Sequence, residues 1–316
     1  MGRYTITAGQ NIYDVALHLY GSIEGIVDLM MCNPTLSLAQ RLQAGQTLEF
    51  SDDFLLDEDV AAYFRTSGLI PAGGERQVYP KDFTRPLLAE LLTDKGKTSA
   101  SFTASGRGIL EVDWGDNAPP YMLALQDTPR RYTHTFDSAV AGSRRIRLYG
   151  DAELRTLDLS AAAPSELYLL MPLPLEHFTL RDATLGIGAL ALLRGTYCLN
   201  LQGLQCPDLR SLVACSELMT LDLRDSPLKP SVLDGYLLQL VRRYGARRSG
   251  SVYLPCAPTG HYREPARDAA GSYAPASGME ALWVITHEES WNEAASWKFI
   301  IDEKTYTYEP DDQRNI

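Results

Sequence analysis

Four six-residue stretches set the reading of the middle of the chain: Leu154-Arg155-Thr156-Leu157-Asp158-Leu159, Leu175-Glu176-His177-Phe178-Thr179-Leu180, Thr196-Tyr197-Cys198-Leu199-Asn200-Leu201 and Leu218-Met219-Thr220-Leu221-Asp222-Leu223. Each follows L-x-x-L-x-L, apart from Thr196 at a first position and Phe178 at a fourth, and the starts lie 175 − 154 = 21, 196 − 175 = 21 and 218 − 196 = 22 residues apart. Leu167, Leu190 and Leu209 fall between the units, where a returning arm must also bury an apolar side chain. A unit this short cannot cover its own apolar face, so roughly three or more must stack before the array is stable.

These units resemble the leucine-rich repeat. The resemblance implies parallel x-L-x-L strands, each leucine layer covering the next. The asparagine usual after the strand is missing, and Ser160, Asp182, Gly203 and Asp225 lie nearby instead, which makes the expected coil irregular. The x positions Arg155, Thr156, Asp158, Glu176, His177, Thr179, Asn200, Met219, Thr220 and Asp222 would form a polar ladder. That ladder reads either as a solvated surface or as a face for protein contact.

Upstream, Tyr4-Thr5-Ile6-Thr7 alternates like a short strand, and Ala8-Gly9-Gln10 is a turn. Asn11 with Asp14 three residues later has the form of a capping box, and Ile12, Val15, Ala16 and Leu19 follow at helical spacing up to Gly21. A second helix is expected from about Ile23 to Cys32, with Ile26, Val27, Met30 and Met31 inward, stopped by Asn33-Pro34. Leu42 and Gly45-Gln46-Thr47-Leu48-Glu49-Phe50 supply a turn and a closing strand.

This module resembles the LysM family along nearly its whole length, through Gly9-Gln10-Asn11-Ile12, Leu19-Tyr20-Gly21-Ser22, Asn33-Pro34 and Leu42-Gln43-Ala44-Gly45-Gln46-Thr47-Leu48. The resemblance implies binding of N-acetylglucosamine polymers such as peptidoglycan, in a groove of Gly9, Gln10, Asn11 and Ile12 facing Asn33, Pro34, Thr35 and Leu36. Gly9 and Asn33-Pro34 are also what the turns themselves require, so a purely structural module is the competing reading. LysM-like modules occur too in phage and prophage tail proteins, where they act as assembly parts, and Tyr13 to Ser22 is similar to that version.

Residues 52–96 read as a connector, with an acidic run at Asp52, Asp53, Asp57, Glu58 and Asp59, a short helix around Asp57–Thr66 and a Pro71-Ala72-Gly73-Gly74 loop. From about Thr98 the period changes to two. Asp113-Trp114-Gly115-Asp116 followed by Tyr132-Thr133-His134-Thr135-Phe136 resembles the PKD-type β-sandwich. There the aspartates cap a turn, and the histidine and aromatic pack beneath it. Pro230 starts an amphipathic helix to Tyr244, expected to cap the repeat. Leu282–Ile285, Trp297–Ile301 and Thr305–Tyr308 read as a β meander.

The expected fold class is therefore multidomain α+β: a small βααβ LysM-like domain (1–51), a connector (52–96), a PKD-like β-sandwich (97–150), an LRR-like solenoid (151–228), and a C-terminal helix with β meander (229–316). The chain has 316 residues and a formal charge of 29 − 40 = −11, which disfavours nucleic acid and anionic membranes as partners. No leader is visible at Met1-Gly2-Arg3-Tyr4, so cytoplasmic synthesis is expected, with the virion as destination for a tail component. The five cysteines form no C-x-x-C pair, and Cys198, Cys206 and Cys215 match no common zinc spacing. No nucleophile, P-loop, dinucleotide or metal signature appears, so neither an enzyme nor a cofactor is expected. The function expected is a structural protein of a phage or prophage tail or baseplate, with other structural proteins as partners. A peptidoglycan binder and a wall hydrolase with an unrecognised site are the alternatives.

Overall fold

The computed structural model describes residues 1–38, 40, 42–72, 81–94, 96–116, 118–136 and 143–308. The chain divides into two units, Met1–Val78 and Tyr79–Ile316. Gly73 and Gly74 of the expected loop, and Asn117 of the expected turn, lie outside the described residues.

In the N-terminal unit, β1 (Gly2–Thr5) precedes α1 (Ile12–Tyr20), α2 (Ile26–Cys32), β2 (Thr47–Phe50) and α3 (Glu58–Thr66). Strands β1 and β2 pair antiparallel from Gly2↔Phe50 to Thr5↔Thr47. The capping box forms as the residues dictate: Asn11 Oδ1 accepts from the amides of Tyr13 (2.8 Å) and Asp14 (2.9 Å), and Asp14 accepts from Asn11 N (3.0 Å). Gly21 ends α1 in the left-handed region at φ 74°, and a Cβ there would collide with the carbonyl of Asp57.

Ile6, Ile12, Val15, Ala16, Tyr20, Leu29, Leu36 and Leu48 form the core of this unit. Ile26 and Met30 pack against it, whereas Val27 and Met31 are 62% and 76% exposed, contrary to expectation. A two-turn helix can bury only one face, and Leu29 fixes which. Tyr20 is fully buried and donates its hydroxyl to Asp28 at 2.6 Å. The first part of the expected connector belongs to this unit. Leu56 N and Asp57 N donate to Tyr20 O (3.0 and 2.9 Å), Asp57 caps α3, and Phe64 meets the ring of His18 at 6.3 Å.

The second unit opens with β3 (Leu87–Thr93), β4 (Ser99–Arg107), β5 (Ile109–Asp113), β6 (Tyr121–Ala124), β7 (Arg130–Thr135), β8 (Arg144–Gly150), β9 (Glu153–Asp158) and β10 (Pro164–Leu169). It continues with β11 (His177–Thr179), β12 (Cys198–Asn200), β13 (Thr220–Asp222), α4 (Pro230–Arg242), β14 (Ser251–Leu254), α5 (Gly278–His287), β15 (Lys298–Ile301) and β16 (Lys304–Thr307). One sheet is antiparallel, in the order β10-β3-β8-β5-β6. The other has nine strands, β16-β15-β14-β13-β12-β11-β9-β4-β7, of which β9 and β11 to β15 run parallel. The class is thus mixed α+β with several sheets. Both larger sheets feed one core, in which Leu91, Leu110, Val112 and Ile146 join Phe102, Ala104 and Leu157.

Within the parallel run, Leu157, Phe178, Leu199, Leu221, Val252 and Phe299 sit in direct register and are all buried. Leu159, Leu180, Leu201, Leu223, Leu254 and Ile301 form a second buried row. The chain returns through 3-10 turns at Ser160–Ala162, Gly188–Leu192 and Arg210–Ala214, then through α4 and α5. Asp182, Gly203 and Asp225, each two residues past a strand's last leucine, take positive φ of 52°, 70° and 60°. Only Gly, Asp and Asn enter that region at low cost, which explains the residue types at these corners.

Four expectations are corrected. Residues Leu87–Thr93 are not connector but the strand between β10 and β8. The divisions expected near 97, 151 and 229 all fall inside the second unit. Helix α4 does not cap the coil; it is the return arm between β13 and β14, and two more parallel strands follow. Leu282–Ile285 is not a strand but part of α5. An apolar run buried on most sides reads alike as strand or helix, and the deciding signal was Ser277 with Glu280 three residues on, where Ser277 Oγ accepts from Glu280 N at 3.3 Å. The remainder of the expected meander is a hairpin, β15–β16.

Two outcomes are expected. Leu221→Ala should cost about 2–5 kcal/mol in chemical denaturation of the full chain, because neighbouring layers cannot collapse onto the gap. In the N-terminal unit, burial raises the Asp28 carboxyl, but donation from Tyr20, from the Ser51 hydroxyl and amide, and from Cys32 outweighs it and holds the group below the usual carboxylate range. A folded value below the unfolded one gives stability that is complete above about pH 4 and lost as pH falls through the folded value. Tyr20→Phe should lower stability at neutral pH by about 1–3 kcal/mol and flatten that acid loss, read by hydrogen exchange of α1.

Candidate functional site

The residues expected to line a glycan groove lie at the start of α1 and just past the end of α2. Gln10 is buried at the tip of the first turn, where its Oε1 accepts from Thr7 N (2.8 Å) and Tyr4 Oη, and its Nε2 donates to Pro71 O (3.0 Å). Asn11 caps α1, and Ile12 is buried in the core. Asn33 Nδ2 donates to Leu29 O and Glu49 O, both at 2.7 Å, and its Oδ1 accepts from Glu49 N at 2.9 Å. Leu36 is buried. The polar side chains expected to grip a sugar are thus committed to joining α2 to β2 and the first turn to residue 71. Gly9, Pro34 and Thr35 remain exposed.

The outer face of the parallel sheet separates into two kinds of position. Asp158, Asn200 and Asp222, expected as contact residues, instead hold the corners: each side-chain oxygen accepts the amide two residues on, Ser160 (2.9 Å), Gln202 (3.3 Å) and Arg224 (3.1 Å). Asp222 is buried and also holds the Arg224 guanidinium (Nε–Oδ1 3.0 Å) and Gln202 Nε2 (3.1 Å). Thr179 and Thr220 are half-buried.

Three residues earlier in each unit the surface is open. Arg155, Glu176 and His177 are exposed, and Arg155 lies 3.6 Å from Glu176 and 3.7 Å from Asp127. Tyr197 and Met219 continue that row at 41% and 48% exposure. Glu176 N bonds Arg155 O (2.8 Å), and Met219 N bonds Tyr197 O (2.7 Å), so neighbouring repeats set the spacing. Arg248, paired to Glu217 at 2.9 Å, lies 5.9 Å over the Tyr197 ring. Tyr197 was missed in the sequence because Thr196 blurs its unit; it occupies the same x position as Arg155, Glu176 and Met219.

The histidine and aspartates of the antiparallel half are also brought together. Asp113 Oδ1 accepts from Gly115 N (3.0 Å) and Lys81 Nζ (2.6 Å); Asp116 Oδ1 accepts from Ala118 N (3.0 Å). Asp116 Oδ2 lies 2.5 Å from His134 Nε2, and the imidazole stacks on Trp114 with ring centres 5.1 Å apart. Carboxylates that accept backbone amides and a lysine shape a turn. Burial pushes the thiols of Cys206 and Cys215 up to about 11, away from thiolate chemistry. Among the described residues no group of three or more His, Cys, Asp or Glu is placed to hold a metal ion.

Asn33→Ala should therefore destabilise the N-terminal unit by about 1–3 kcal/mol whether or not sugar is present, since it removes the side-chain partner of Glu49 N and Glu49 O, while Leu29 O keeps the Asn33 amide. Thermal unfolding with and without chitooligosaccharide checks this, and an unchanged midpoint would release Asn33 for ligand contact.

In comparisons with known proteins, no family model, no curated protein and no solved structure matches this chain.

Proposed function

We propose that this chain is a non-catalytic binding and assembly protein, a structural component of a phage or prophage tail or baseplate whose partners are other structural proteins. The observation that carries the reading is the open row Arg155, Glu176, Tyr197 and Met219, in or immediately before the four neighbouring parallel strands β9, β11, β12 and β13. Arginine, tyrosine and methionine on a rigid frame are the residue types that protein interfaces enrich. The in-register strands with one return arm each support an LRR-like coil. The aspartate-capped turn over Trp114 and His134 supports a PKD-like half. The capped βααβ unit supports a LysM-like module serving as an assembly part, because Gln10 and Asn33 are occupied within it. The same bonding of Asp113, Asp116 and His134 supports a chain without catalysis.

Exposed Gly9, Pro34 and Thr35 favour a second reading, in which the module binds peptidoglycan through backbone and short side chains. In cells carrying the gene, the protein should sediment with tail-like particles, and Arg155→Glu combined with Tyr197→Glu should lower its incorporation about tenfold. Retention on insoluble peptidoglycan that Thr35→Arg abolishes would select the glycan reading instead. Release of soluble muropeptides by the pure protein would overturn a non-catalytic role.

A further inference from the structure

Both large sheets end on consecutive strands: β6 is the edge of the five-stranded sheet and β7 the edge of the nine-stranded one. The two edges border a single cleft of about 400 Å³. Tyr121, Met122 and Tyr132 give it apolar surface, with Tyr121 59% exposed. The Tyr132 hydroxyl spans it, donating to Ala124 O at 3.3 Å. Arg130 and Arg131 also line it, and among the described residues none that lines it carries a carboxylate. In a chain of formal charge −11, that cationic wall is a local exception.

The backbone of β7 is oriented for pairing. Phe136 N donates to Thr98 O at 2.8 Å, and the register runs from Thr135↔Ser99 to Arg130↔Ala104. Alternation in an antiparallel ladder then turns the amides and carbonyls of Arg131, Thr133 and Thr135 away from β4. No proline or bulge blunts this edge, the devices that usually close a free strand. Arg131 is fixed on one face of the sheet by two bonds to Ser101 Oγ (3.1 and 2.8 Å), while Arg130 shares the cleft side with Tyr132.

We propose that the free edge of β7 accepts, as an added strand, an extended acidic segment of a partner protein. Main-chain bonds to residues 131, 133 and 135 would supply affinity, and charge would supply selection. Successive residues of the added strand point to opposite faces, so of two consecutive carboxylates one reaches Arg130 and the other the Arg131 guanidinium, which Ser101 holds on the opposite face of the sheet. An apolar side chain two residues from the cleft-facing carboxylate shares its face and would lie against Tyr121 and Met122. This site is separate from the open row on β9 to β13 and does not depend on it.

The test uses the full chain and a short fluorescein-labelled peptide repeating Thr-Val-Glu-Glu, read by anisotropy. Saturable binding that weakens with salt is expected, with Arg130→Glu raising Kd about tenfold or more. Thr133→Pro should do the same, because it deletes an outward amide and leaves the pairing with β4 intact. Circular dichroism reports whether that proline disturbs the fold; if it does, Arg130→Glu alone decides. Equal binding of a peptide with Lys in place of Glu, or no change in Kd for the variants, would overturn the proposal. Displacement of the peptide by chitooligosaccharide would assign the cleft to sugar and overturn it as well.

Discussion

Strands β11, β12 and β13 are three residues long, too short to persist on ladder bonds alone. What holds them is the stack of Leu157, Phe178, Leu199, Leu221, Val252 and Phe299, each covering the next in direct register. Burying one such side chain is worth about 1.5–3 kcal/mol, and a slip of one residue would put the whole row in water. Register in every strand is therefore fixed by its neighbours. At one end β4 continues the row with Ala104 opposite Leu157 and carries the core into the antiparallel sheet. At the other, β16 folds back on β15 and closes the array.

That stack also decides which surface residues are available. A chain leaving each strand must turn sharply, and Asp158, Asn200 and Asp222 accept the amides that the turn frees. Asp182, Gly203 and Asp225 then take the left-handed conformation the corner requires. Polar residues near the strand ends are thereby occupied by backbone, and the surface left open is the row three residues earlier in each unit. The same division runs through the N-terminal unit, where Gln10 and Asn33 bind the chain to itself and only small neighbouring residues stay outside. Polar character alone does not mark a contact residue; an unspent hydrogen-bonding capacity does.

Local chemistry determined much of this chain. The Asn11–Asp14 box, Gly21, Pro230 and the 21- to 22-residue leucine period each act within a few residues or repeat by rule, so they were legible without coordinates. The parallel row through β9 to β13 follows directly from that period. Its continuation did not, because Ser251 lies 251 − 220 = 31 residues past Thr220 and Lys298 lies 298 − 251 = 47 past Ser251. Helices α4 and α5 had replaced the short 3-10 arms, and the rhythm was lost while Val252, Leu254, Phe299 and Ile301 kept the pattern.

Tertiary structure alone decided the rest. Whether Leu282–Ile285 is helix or strand depends on what surrounds a run that is apolar on every side. Whether Leu87–Thr93 is linker or strand depends on β8 and β10, distant in sequence. Whether Gln10, Asn33 or Asp222 faces a ligand depends on carbonyls and amides that only folding brings within 3 Å or so. Spacing along the chain records the period of burial, which is local; the partners that satisfy each polar group are not, and they determine which surface is left for binding.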